Sequence, residues 1–304
     1  MVKLRMVAGA AALALAGTGT AQAVPSYAYG ALHFQNFVLS GIVDAAGVPL
    51  SGVSGVTQSV SSTDGANYPG FATAGVSAGG NLVTGTDPAQ AKSGPGSFPG
   101  ENNFTQALLP ANTLTPAGTR GDAQITGAIA GGATSDLVAE GKLSTITSAG
   151  SSSGTSTTIN AKFANGGTIS LTFSASSSLT AQVALLGDSA NAQVSATFKI
   201  FDVTTNTLVS ITDNINAANS GTTIAPFALN QNVASTNPGS PQSFSSPLTA
   251  YSYTSSSLTA GDTYQITLAD STTTIFQGVP EPVSLSLFAT GLVALGVMRR
   301  RRQA

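Results

Sequence analysis

Past residue 123 this chain repeats one pattern. Apolar residues take alternate positions in short runs: Ile159, Ala161, Phe163; Ile169, Leu171, Phe173; Leu179, Ala181, Val183, Leu185; Val194, Ala196, Phe198, Ile200. In the last run Ser195, Thr197 and Lys199 stand between them. Side chains on a strand point alternately to opposite faces, so this period describes strands with one buried face. Residues 124–129, 208–211, 248–253, 264–268 and 273–276 extend the series, and Gly, Asn, Asp and Ser clusters separate the runs. Many short strands spaced this way predict an all-β antiparallel body, a β-sandwich or jelly-roll-like domain over residues 119–278. Leu258, Gly261 and Tyr264 are spaced as in a tyrosine corner, where the Tyr hydroxyl bonds to backbone a few residues upstream.

Residues 24–118 read differently. Ser, Gly and Val mix without a sustained period, and Pro69, Pro88, Pro95 and Pro99 interrupt the stretch. It is expected to be an irregular Gly/Ser/Pro-rich region with short strands. Residues 104–109 fit one short helical turn.

Both flanks carry three-part signals. Lys3 and Arg5 precede an apolar run over 6–17, followed by Ala21-Gln22-Ala23. Charge, short apolar run and small-residue site in that order predict a signal peptide over 1–23, cleaved after Ala23. The other flank has Val279-Pro280-Glu281-Pro282, then sixteen uncharged residues over 283–298, then Arg299, Arg300, Arg301 and Arg302. At 1.5 Å per residue the run reaches about 24 Å, a slightly short single transmembrane helix. Arginine snorkelling and local thinning accommodate the difference. The arginines bias their side to the cytoplasm, which leaves the body outside. Two prolines around an acid keep the preceding segment extended. An extended acidic peptide suits a processing enzyme; a helix-entry spacer is the bland alternative.

The order Val279-Pro280-Glu281-Pro282, apolar span, arginine cluster closely resembles the PEP-CTERM sorting signal of Gram-negative bacteria that make extracellular polysaccharide. The resemblance covers residues 279–304. It implies processing by an exosortase, a membrane-embedded cysteine protease-like transpeptidase, after export by the Sec machinery and signal peptidase. It further implies a stay in the inner membrane, then the cell surface or an exopolysaccharide-rich biofilm matrix. Tyr27-Ala28-Tyr29, Asn36-Phe37 and Arg120-Gly121-Asp122-Ala123 more weakly resemble a subgroup described only as exosortase-dependent surface proteins.

Composition narrows the function classes. There is no Cys and one His, so thiolate chemistry and multi-histidine metal centres are excluded. A Ser-His-Asp triad could use only His33. His33 sits in an aromatic strand pattern, Leu32-His33-Phe34, that suggests no partner. Charged residues are 8% of the chain, while Ser and Thr together number 76. Loss of both signals removes six of eleven basic and one of thirteen acidic residues, leaving a net charge of −7 and no nucleic-acid surface. Arg120-Gly121-Asp122 reads as a turn before the strand at Gln124. Asp44, Asp188, Asn191, Asp202, Asp213, Asn214 and Asn216 are hard-oxygen calcium candidates that Asx turns explain more simply. The Ser/Thr runs at 151–158 and 174–178 read as O-glycan acceptors or polar linkers, and Asn103-Phe104-Thr105 fits an N-glycan acceptor. Glu101 and Glu140 are the body's only glutamates, and neither local context offers the apolar pocket a glycosidase acid needs.

Two readings result. The first is a non-enzymatic surface or matrix protein without cofactor or metal. The second is a carbohydrate-binding β-sandwich module, whose candidate aromatics are Tyr251, Tyr253 and Tyr68.

Overall fold

The computed structural model describes residues 25–43, 48–80, 85–108, 117–127, 132–143, 148–212 and 229–278. The signal-peptide residues Ala21 and Ala23, the motif Val279 to Pro282 and the arginines 299–302 lie outside these, as do Asp44 and 213–216. The described residues form strands and loops and contain no helix.

The strands are β1 (Ser26–Ser40), β2 (Val53–Asn67), β3 (Ala74–Gly80), β4 (Ala91–Ser93), β5 (Gly118–Thr126), β6 (Ala133–Leu143), β7 (Ala149–Phe163), β8 (Ser170–Gln182), β9 (Ser189–Asp202), β10 (Thr207–Thr212), β11 (Gln231–Ser235), β12 (Gln242–Thr254) and β13 (Thr263–Gln277). One antiparallel sheet runs β12-β8-β1-β6-β5-β4. The other runs β10-β9-β13-β7-β2-β3, with β11 also pairing β9. The two sheets pack face to face around one apolar core.

The irregular region expected over 24–118 is corrected. β1 sits in the middle of its sheet between β6 and β8, and β2 pairs β7 from Val53 to Asn67, with a bulge between Ser54 and Thr57. β1 hid because both of its faces are covered, so Tyr27, Ala28 and Tyr29 are all buried. A bulge at Asn36, whose φ is 54°, lets Phe34 and Phe37 both enter the core. The runs at 264–268 and 273–276 belong to one strand, β13. No helical turn occurs over 104–108.

The core changes character along its length. At one end rings interlock: Phe173 stacks on Tyr251 at 5.0 Å and 6°, and Phe198 meets Tyr253 edge-on at 5.3 Å. At the other end β7 turns Ser151, Ser153, Thr155 and Thr157 inward, and β13 turns Asp270, Thr272 and Thr274 inward. The 151–158 run is therefore half interior, not a linker, and Ser177 of the 174–178 run is also buried. Small hydroxyl residues let the sheets close up. Opposite them lie Gly30, Gly121 and Gly141, and a Cβ at Gly121 would collide with the backbone carbonyl of Ser152. Backbone cannot step aside as a side chain can, so this position requires glycine.

The chain crosses between sheets from β12 to β13. There Tyr264, 1% exposed, accepts a hydrogen bond from the Thr259 N–H at 2.8 Å. This is the corner bond expected from the spacing of Leu258, Gly261 and Tyr264. Tyr264→Phe should lower unfolding free energy by about 1 kcal/mol, because the exposed Thr259 N–H can turn to water instead. Urea denaturation measures it, and an unchanged midpoint would deny the bond any net role.

Candidate functional site: a strapped outer face

Residues 94–108 leave β4 and cross the outer face of the first sheet as a strap. Phe98, Phe104 and Leu108 pack there on Tyr27, Tyr29, Ala31 and Val138, a small second core. Beneath lies Glu140 of β6, flanked in register by Tyr29 of β1 and Arg120 of β5. Arg120 and Glu140 are both fully buried, with Arg120 Nε donating to Glu140 Oε2 at 2.9 Å. Glu140 Oε1 also accepts from the Tyr27 hydroxyl at 2.6 Å and from the Leu108 N–H at 2.7 Å. The Ala107 N–H reaches it at 3.0 Å. Arg120 Nη1 and Nη2 donate to the carbonyls of Asn103 and Thr105, each at 2.6 Å. The Tyr29 hydroxyl donates to the Phe104 carbonyl at 3.1 Å.

This corrects two expectations. Arg120 to Asp122 is not a turn but the middle of β5, and Arg120 points into the buried network. Glu140 sits in a thoroughly desolvated place, with the Arg120 guanidinium and the Tyr27 hydroxyl bonded to its carboxyl. Burial and the nearby Glu140 charge push the Tyr29 hydroxyl up to about 12 and raise Tyr27 as well. The network is a clamp: it satisfies strap backbone groups that would otherwise be stranded over a sheet.

A second clamp holds the strap at Asn102, next to the first. Asp122 accepts from the Asn102 N–H at 2.8 Å and from Gln90 Nε2 at 3.1 Å. Asn102 takes the left-handed conformation, φ 62°, and its amide reaches Asp87 at 3.0 Å. Gln124 also donates to Asp87 at 3.0 Å.

Beside the strap lies a depression of about 310 Å³. Across its floor run Asp136 of β6, His33 of β1 and Ser176 of β8, consecutive partners in the ladder. His33 Nδ1 and Asp136 Oδ1 are 2.5 Å apart, with the side chains 37% and 22% exposed. That hydrogen bond raises the imidazole's pKa. The spacing of 103 residues is why sequence gave His33 no partner. Ser178, Ser245 and Phe104 complete the rim. A larger depression, about 430 Å³, is lined by residues around 65–67, 148–152 and 273–277 and holds no ionisable side chain.

The other candidates resolve individually. Tyr251, Tyr253 and Tyr68 are 3%, 4% and 7% exposed, so none offers a flat face to a sugar ring. Asp202 Oδ1 accepts from the Thr204 and Thr205 N–H groups, an Asx turn. Asp188 is buried, and among the described residues no three His, Cys, Asp or Glu side chains are grouped to hold a metal. Asn103 folds its amide oxygen onto Thr105, while its carbonyl is held by Arg120. Glu101 is exposed in a turn. Neither a family model, nor a curated protein, nor a solved structure matches this chain.

Proposed function

We propose that this chain is an exported, non-enzymatic surface or extracellular-matrix protein, sorted and processed by an exosortase and associated with exopolysaccharide or biofilm. The observation that carries the reading is the three-part order of Val279-Pro280-Glu281-Pro282, uncharged run and Arg299 to Arg302, matched by an n-region, apolar run and Ala21-Gln22-Ala23 site near Met1. The two signals are independent and give one topology, with the body outside the inner membrane. The body supports the reading too. It is a low-charge sandwich with many Ser and Thr side chains in its strands, and a strap held by hydrogen bonds from Asn102 to Leu108 covers part of one outer face.

Each part of the tail has its own physical task, so each fails in its own way. Pro280→Ala with Glu281→Ala removes the extended acidic handle and leaves the apolar span intact. Unprocessed protein, already lacking residues 1–23, should accumulate in the inner membrane, read by fractionation and intact mass. If the double variant is processed and displayed like the parent, the motif is only a spacer and the exosortase reading fails.

A further inference from the structure

We propose that the depression bordered by His33, Asp136, Ser176, Ser178, Ser245 and Phe104 binds a neutral saccharide. Its size, about 310 Å³, lies at the small end of ligand sites, which run from ~300 to 1,000 Å³. Its walls are set before any ligand arrives. The floor is three paired strands, and the Phe104 wall is pinned by Tyr29 on its own carbonyl and by Arg120 on the carbonyls either side. Preorganisation of this kind reduces the ordering a ligand must impose.

The polar groups select the class of ligand. His33 engages Asp136 through Oδ1, and Oδ2 has no hydrogen-bond partner among the described residues. The hydroxyls of Ser176, Ser178 and Ser245 likewise make no hydrogen bonds there, and all three residues are at least partly open to water. An anion would meet the Asp136 carboxylate. A cation would find one carboxylate, already paired with an imidazole. An apolar ligand would strand one carboxylate oxygen and three hydroxyls without water. A ligand bearing several hydroxyls meets every requirement: it donates to Asp136, exchanges hydrogen bonds with the serines, and lays a C–H face on the Phe104 ring. Hydrogen bonds to the carboxylate are the strong ones and set orientation. Tyr251, Tyr253 and Tyr68 take no part, so this site is separate from the aromatic platform that the sequence suggested.

His33 is the chain's only histidine, so its imidazole gives one unambiguous NMR signal. The full chain is prepared with 13C-labelled histidine in a detergent that carries no sugar headgroup. Neutral gluco-, manno- and galacto-oligosaccharides are titrated separately to millimolar concentration, with glycerol alongside. The expected result is a saturable shift of the imidazole signal with at least one oligosaccharide and no comparable shift with glycerol. Ser176→Tyr on β8 and Ser245→Trp on β12 each fill the depression from a different strand, and each should weaken binding roughly tenfold or more. An imidazole signal unmoved by all three classes overturns the proposal. So does an equal response to glycerol, or a shift that both filled variants retain. These outcomes are independent of the tail, so binding can fail while exosortase processing stands, and the reverse.

Discussion

Glu140→Ala is expected to lower the unfolding free energy by about 3–5 kcal/mol, because it leaves the Arg120 guanidinium buried without its counter-charge. The same substitution removes the acceptor for the Tyr27 hydroxyl and for the Ala107 and Leu108 N–H groups. Damage should therefore appear first in the strap. Limited proteolysis ought to cut between 94 and 108 under conditions in which the parent resists. A double variant, Arg120→Met with Glu140→Leu, separates the two effects. Apolar residues of similar volume can replace a buried ion pair with little loss of global stability. They cannot, however, donate to the carbonyls of Asn103 and Thr105. Global stability should largely return while the strap stays cleavable. Urea unfolding of both variants beside their proteolysis patterns tests this. A Glu140→Ala protein as stable as the parent would mean that the pair has no structural role.

Stability should also rise as the solution is made acid, from about pH 8 down to about pH 4. Asp270 is buried between the sheets, and that burial pushes its pKa up to about 6. Its relief is partial, with Ser135 donating to it at 2.9 Å and Thr155 beside it. Asp64, 5% exposed, is pushed up to about 8 by burial and then by the charge of Asp122, itself raised by burial. A carboxyl with a folded pKa above its unfolded value near 3.9 binds its proton more tightly in the folded state, so stability is lost as pH climbs through the folded value. His33 has the same sign: its raised pKa adds stability below about pH 6.5 that disappears above the folded value. For Asp270 two pKa units correspond to about 3 kcal/mol withheld at pH 7.5. Asp270→Asn should recover much of this at pH 7.5 and little at pH 4, flattening the pH profile. A melting temperature that falls steadily from pH 8 to pH 4 would contradict the assignment.

Legibility in the sequence followed hydropathy contrast. β9 was plain because Val194, Ala196, Phe198 and Ile200 face inward against Ser195, Thr197 and Lys199. β7 was half concealed: from Ser151 to Thr157 its buried and open positions are both Ser, Gly or Thr, so alternation in space has no counterpart in hydropathy. β1 was concealed for the opposite reason, since the strap dries its outer face and leaves Tyr27 and Tyr29 as buried as Ala28. The clamp was beyond local reading altogether. Its members lie up to 113 residues apart, and only the ladder places Tyr29 and Arg120 on either side of Glu140. The one usable signal was chemical: Arg120 and Glu140 are unusual in a chain with 8% charged residues, and scarce charges in a β-protein merit a search for each other.

The central place of β1 has a consequence in time. Its neighbours are β6, which ends at Leu143, and β8, which ends at Gln182. At about 5–20 residues per second of synthesis, β1 waits several seconds for its first partner and longer for its second. Until then the sheet lacks its middle, and neither the strap nor the depression beside it has a floor. Distant pairings of this kind close slowly even in a finished chain. A nascent chain that cannot fold from this strand stays unfolded over much of its length, the state in which a polypeptide can thread a narrow channel.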